Sequence, residues 1–179
     1  MTTEQLEIDG VGLSDDLEPR NFDVKVIRSS RRTKTAQAKV VRGVIEVRIP
    51  SGCSAGEEAE LVDHFVKKFE RSHRAKLLDL DERAGRLAKK YDLPMPASIR
   101  WVSNQKHRWG SCTPSDGTIR LSDRLAGFPE WVIDYVVVHE LAHLVESGHG
   151  PRFWALVEQY PLTERARGFL MAKGLDGVA

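Results

Sequence analysis

The stretch from Trp131 to Val145, WVIDYVVVHELAHLV, constrains this chain more than any other. Wound into a helix it is apolar nearly all round, with Trp131, Ile133, Val136, Val137, Val138, Leu141 and Leu144 spread over every direction. Such a helix belongs inside a protein and not on its surface. Yet it carries His139, Glu140 and His143. Two imidazoles and a carboxylate are costly to bury unless they are paired or bound to a metal. Residues i and i+4 of an α-helix lie one turn apart on nearly the same face, so His139 and His143 can share one ion. Glu140 projects about 100° round the axis, to the flank of that ion.

His-Glu-x-x-His on a helix is the arrangement in which two histidines hold zinc and the glutamate acts as general base on a metal-bound water. A catalytic zinc site typically has three protein ligands and one open position. His149 is the favoured third ligand. It lies in Glu146-Ser-Gly-His-Gly-Pro151, where two glycines let the chain turn back after the helix. A following helix can begin at Pro151 and bury Phe153 and Trp154 beneath the site. The rival third ligands are Glu158 and Glu164. Cys112 is read as a small apolar filler, its alternatives being a fourth ligand or a redox switch. His107, Arg108, Tyr135 and Arg152 are all candidates to stabilise a developing oxyanion, and the sequence does not choose among them.

The rest of the chain frames this helix. Its 179 residues include 41% hydrophobic and 30% charged ones, a globular composition. Residues 1–20 open with an acidic segment, expected to be a mobile tail, and 21–179 are expected to form a single domain. From Arg20 to Arg42 the charge inverts, with eight Lys/Arg against Asp23. Alternation at Val24 and Val26, at Ala36, Ala38 and Val40, and from Val44 to Ile49 predicts two or three short antiparallel strands. Ser54 and Glu57 form a capping box that starts a helix. Its apolar stripe runs from Leu61 to Tyr91, with a break expected near Gly85. His73, on that stripe, is read as a packed boundary residue. A strand follows around Ile99 and Trp101, then a hairpin turning at Asp116-Gly117. The metal helix is expected over about Glu130 to Glu146. The fold class is therefore α+β: a small sheet, an N-terminal hairpin segment and a central helix.

Trp109-Gly-Ser-Cys112, the hairpin, DYVVVHELAHL, His149 and Phe153-Trp154 together resemble the YgjP-like metallopeptidases, compact zincin-like relatives of the SprT-like and gluzincin zinc proteases. The likeness extends weakly to Arg28-Ser-Ser-Arg-Arg and Val47-Arg-Ile-Pro50, so it covers roughly residues 22–172 and omits the acidic segment. It implies one Zn²⁺ ion held by His139, His143 and His149, and Glu140 as the catalytic base. The spacing through His149 also fits the metzincins, which place glycine where this chain has Glu146. No methionine turn is evident, and that family is not assigned.

The expected function is zinc-dependent hydrolysis of peptide bonds in peptide or protein substrates, with an extended substrate lying beside Thr118–Leu121. The alternative keeps the metal and hydrolyses a non-peptide bond such as a nucleotide phosphoanhydride. A third reading makes residues 20–42 a nucleic-acid arm, but Phe22 is their only aromatic residue and base stacking asks for more. A net charge of only +1 also argues against a nucleic-acid coat protein. No apolar run is long enough to span a membrane. The N-terminus does not read as a secretory signal, and two cysteines suit a reducing compartment, so a cytoplasmic protein is expected.

Overall fold

The computed structural model describes residues 22–105 and 107–174. The acidic segment 1–20 lies outside the described residues. The chain divides into two compact units, one ending at Cys53 and the other beginning at Ser54.

The first unit is a three-stranded sheet of β1 (Val24–Ser29), β2 (Gln37–Val41) and β3 (Val44–Pro50), in the order β1-β3-β2. β2 and β3 form a hairpin that closes Val41 onto Val44. Its two turn residues, Arg42 and Gly43, both take positive φ (51° and 84°), as a tight two-residue turn between twisted strands requires. β1 departs from the expected antiparallel arrangement. It runs parallel to β3, from Val24 beside Ile45 to Ser29 beside Pro50. Alternation fixes which face a side chain takes, and here Ile45, Val47 and Ile49 are fully buried, but it does not name the neighbouring strand. Several of the cations find partners within the unit. Arg28 donates to the carbonyls of Ser51 and Cys53 (3.1 and 2.8 Å), and Arg32 donates to Gln37 (2.7 Å). Lys39 and Arg48 flank Glu46 at 3.6 and 3.9 Å.

The second unit opens at the expected capping box. Ser54 Oγ accepts from the Glu57 amide (3.3 Å) while the Glu57 carboxylate accepts from the Ser54 amide (2.8 Å), starting α1 (Ala55–Leu77). The stripe then breaks at Leu78-Asp79 and not at Gly85. Asp79 accepts from the Glu82 amide (2.9 Å) and caps a new helix, α2 (Leu80–Lys90), which runs straight through Gly85. β4 (Ser98–Val102), β5 (Gly110–Thr113) and β6 (Thr118–Ser122) make a second sheet in the order β4-β6-β5. β5 and β6 are the expected hairpin, with Gly117 at φ 65° and Asp116 accepting from the Thr118 amide (2.9 Å). β6 is the central strand, paired with β4 on one side and β5 on the other. An extended peptide therefore cannot pair with Thr118–Leu121. The open edge on the hairpin's side is β5.

A 3₁₀ turn (Asp123–Gly127) leads to α3 (Glu130–Ala142), then α4 (Pro151–Val157) and α5 (Thr163–Ala172). α3 is central, as its all-round apolarity demands. It packs on α2, α4, α5, β5, β6 and the 3₁₀ turn, and every residue from Tyr135 to Ala142 is buried. Asp134, on its α2 side, pairs with Arg83. The second unit is thus an α+β fold built round the helix that carries the histidines. Among the described residues no helix is long and apolar enough to cross a membrane.

Candidate metal centre

α3 ends where its chemistry lies. His139 sits in its last turn and His143 caps it. Just beyond His143 two hydrogen bonds tighten to i→i−3, Leu144 to Leu141 and Val145 to Ala142 at 3.0 Å each, before the Glu146 amide closes the turn on Ala142 at 2.9 Å. The regular helix therefore stops at Ala142, four residues short of the expected Glu146. The chain then folds back through Ser147-Gly148, and Gly150-Pro151 starts α4. This return brings His149 against the other two imidazoles. The ring centroids are 5.0 Å apart for His139–His143, 5.2 Å for His139–His149 and 4.8 Å for His143–His149. Phe153, fully buried at the start of α4, lies under all three, stacked on His143 at 4.5 Å and edge-on to His139 and His149 at 4.9 and 4.7 Å.

One nitrogen from each imidazole lies within 4.8 Å of the others, a group able to hold a metal ion. The Nε2 atoms of His139 and His149 are 3.3 Å apart. Two ligands about 2.05 Å from a tetrahedral ion stand about 3.3 Å apart, so this pair already has the spacing of a coordination edge. Protonation agrees. Burial, reinforced by the neighbouring imidazoles, pushes His139 down to about 3. His143 is lowered by burial, and His149 by burial and by His143. All three are shifted toward the neutral form that binds metals. His143 Nδ1 lies 3.0 Å from the Glu146 carbonyl; donating there leaves Nε2 with its lone pair toward the cluster. The sequence-predicted rivals stand apart: neither Glu158 nor Glu164 is in the cluster, and Glu164 is paired with Arg167.

Glu140 is buried on the flank of the cluster, 5% exposed, and lines the same cleft of about 290 Å³ as the three histidines. Burial pushes its carboxyl up to about 8, with the Arg108 charge acting in the opposite direction. Its position depends on a residue that sequence reasoning did not single out. A Cβ on Gly110 would stand 2.8 Å from both Cγ and Cδ of Glu140, so only glycine lets β5 come this close to the carboxylate. The available signal was a glycine directly after Trp109, which is 2% exposed and sandwiched by Phe128 and Arg124 (5.0 and 4.7 Å to its ring). Cys112 also lines the cleft but does not belong to the histidine cluster. Burial, then the charges of Glu140 and Asp116, raise its thiol to about 11, so it stays protonated. Of the four oxyanion candidates only Arg108 lines the cleft. Tyr135 is fully buried, and Arg152 pairs with Glu146 at 3.5 Å.

Comparison with known proteins identifies the family of the domain that carries this site. Residues 54–171 match the model of the YgjP-like metallopeptidase domain, within the second compact unit. Among solved structures the chain is similar to the metallopeptidase zymogen abylysin of Pyrococcus abyssi, at 23% identity and a TM-score of 0.48, over 53% of this chain and 94% of that one. It is likewise similar to the zymogen jannalysin of Methanocaldococcus jannaschii, at 18% identity and a TM-score of 0.47, over 54% and 97%. No curated protein sequence matches the chain. With a family model matched over most of its length, the chain belongs to the YgjP-like family and carries that family's metallopeptidase domain.

Proposed function

We propose that this protein is a zinc-dependent peptidase in which His139, His143 and His149 hold the ion and Glu140 is the general base. The observation that carries the reading is the 3.3 Å approach of two imidazole nitrogens beside a buried glutamate in one cleft. A divalent metal bound there supplies Lewis acidity toward the scissile carbonyl and lowers the pKa of water to about 7. The remaining work falls to the chain. Glu140 takes the proton of the attacking water and returns it to the leaving amine, a role that its place in the cleft beside the histidines suits. Gly110 holds the β5 backbone against Glu140, and Phe153 fixes the planes of the imidazoles. β5 lines the cleft and is an edge strand among the described residues, so an extended peptide can add to it through main-chain hydrogen bonds. Imidazole ligands suit several transition metals, and zinc is favoured because three neutral histidines with an open position are a known catalytic zinc set. A cysteine count of two fits a reducing compartment, and we infer a cytoplasmic location.

The test is reconstitution of the purified chain with Zn²⁺, elemental analysis, and turnover on a peptide panel set against a nucleotide panel. One zinc per chain is expected, lost in His143→Ala and in His149→Ala but kept in Glu158→Ala and Glu164→Ala. Glu140→Gln should keep the metal and lose at least ~10²-fold in turnover, the low end for a positioned general base. Cleavage of nucleotides with peptides left intact would refute the peptidase assignment. Metal loss from Glu140→Gln as complete as from His143→Ala would make Glu140 a ligand and not a base.

A further inference from the structure

Amide hydrolysis passes through a tetrahedral oxyanion, and a hydrogen-bond donor aimed at that charge is usually a large term in the rate. The histidines are engaged with one another, and Glu140 is an acceptor when ionised. The side chain that supplies the donor must therefore be found elsewhere in the cleft. Three of the four candidates are elsewhere in the fold. Tyr135 is fully buried inside the core and does not line the cleft. Arg152 is engaged with Glu146, and His107 is exposed outside the cleft lining.

Arg108 is the cation that the described residues place in the cleft. Two residues near it in the chain, Gln105 and Trp109, are anchored. Gln105, 8% exposed, donates to Ser111 Oγ at 2.7 Å, and its carbonyl accepts from Ser122 Oγ at 3.4 Å, which ties the incoming segment to β5 and β6. On the other side Trp109 is 2% exposed, and its carbonyl accepts from the Ser122 amide at 2.8 Å. Trp109 fixes the chain directly beside Arg108, whose own side chain reaches into solvent. The Arg108 guanidinium makes no hydrogen bond or salt bridge among the described residues, yet its charge acts on Glu140. It is thus near the carboxylate that would deliver the proton, with its donors uncommitted. A guanidinium offers five N–H donors in a rigid fork and stays charged at every relevant pH.

We propose that Arg108 is a catalytic residue that hydrogen-bonds the oxyanion of the tetrahedral intermediate formed from the scissile carbonyl. The assignment rests on the peptidase reading and deepens it. It asks Arg108 to bind the transition state more tightly than the substrate, so its removal should be felt in kcat and not in KM.

The experiment compares wild type with Arg108→Ala, Arg108→Gln and Arg108→Lys, all zinc-loaded. It measures kcat and KM on peptides with neutral and with acidic residues after the scissile bond, and the affinity of a phosphinic peptide that mimics the tetrahedral oxyanion. Arg108→Ala should lower kcat by ~10²-fold or more, the loss typical of one oxyanion donor. KM should stay within about threefold, and phosphinate affinity should fall in step with kcat. Arg108→Lys should recover part of both, and added guanidinium should partly restore Arg108→Ala. Unchanged zinc content and melting temperature in these variants show that the loss is not structural. A KM effect confined to acidic substrates overturns the proposal and makes Arg108 a specificity residue. Unchanged kcat and phosphinate affinity overturn it outright. Phosphinate binding keeps the two readings separate: a wild type that binds the phosphinate through Arg108 but cleaves no peptide refutes the peptidase reading and leaves the oxyanion contact standing.

Discussion

Gly110→Ala offers a sharp test of how the sheet positions Glu140, the proposed general base. The new Cβ would meet Glu140 Cγ and Cδ at 2.8 Å. Carbon atoms settle at about 3.6 Å, so something must give way by about 0.8 Å. β5 is tied to β6 along its length and ends at the buried Trp109, which leaves the Glu140 side chain as the softer partner. Displacing a reacting group by nearly 1 Å costs about 10²-fold in rate, and turnover should fall by at least that much. Overpacking a dense interior costs about 1–3 kcal/mol. At about 4 °C per kcal/mol for a unit of this size, melting should drop by about 4–12 °C. The metal should stay, since no histidine moves. The decisive assay is a double-mutant cycle read by thermal or urea unfolding. In a Glu140→Ala background the Gly110→Ala cost should largely vanish, giving a coupling energy of at least about 1 kcal/mol. Equal costs in both backgrounds, or wild-type turnover in Gly110→Ala, would refute the idea that this glycine exists to seat the carboxylate.

Two further outcomes follow from the same burial. In the metal-stripped protein His139 is depressed from 6.5 to about 3, so its stabilisation is present above pH 6.5 and is lost as pH falls toward 3; Glu140 is raised from 4.5 to about 8, so its contribution is present below pH 4.5 and is lost as pH rises toward 8. Below pH 6.5 the lowered His143 and His149 add to the slope of His139 and oppose that of Glu140, while above 6.5 the Glu140 slope acts without them, so melting temperature should decline from pH 6.5 toward 8. The alkaline decline should be absent from Glu140→Gln, and a decline that survives this substitution would refute the assignment. Asp134→Ala removes the partner that Arg83, with its side chain 10% exposed, meets across α2 and α3, leaving Glu130 at 3.4 Å from a more exposed position. Stability should fall by about 3 kcal/mol with zinc content unchanged, and a melting temperature within about 2 °C of wild type would show that the pair does not hold the two helices together.

The features written locally in the sequence were the legible ones. Ser54 and Glu57 announced α1 because a capping box satisfies its own amides within four residues. Asp116-Gly117 announced the hairpin, and the apolar periphery of Trp131–Leu144 announced a buried helix before any partner was known. The histidine pair was legible because helix geometry alone sets their separation, and His149 because glycines flank it. What depends on distant partners was not. The break between α1 and α2 was hidden because Leu77 and Leu80 continue the helical stripe across it, while Gly85 drew attention as a residue that helices usually avoid. The parallel pairing of β1 with β3 was hidden because β3 inserts between two strands that precede it in the chain. Gly110 was hidden because its role is defined by Glu140, thirty residues later and in another element.

The three histidines differ in how far they stand from water: His139 is buried, His143 half-buried and His149 exposed. For an ion held by all three, this ordering sets a sequence of events in time. His139 and His143 are carried on the rigid end of one helix and detach only if that helix frays. His149 hangs from a short return between helices, open to solvent on one side. Exchange of the ion with solution would therefore begin and end at His149, the hinge of the site. In such a site its two partners would set how tightly the ion is held, and His149 how quickly it comes and goes.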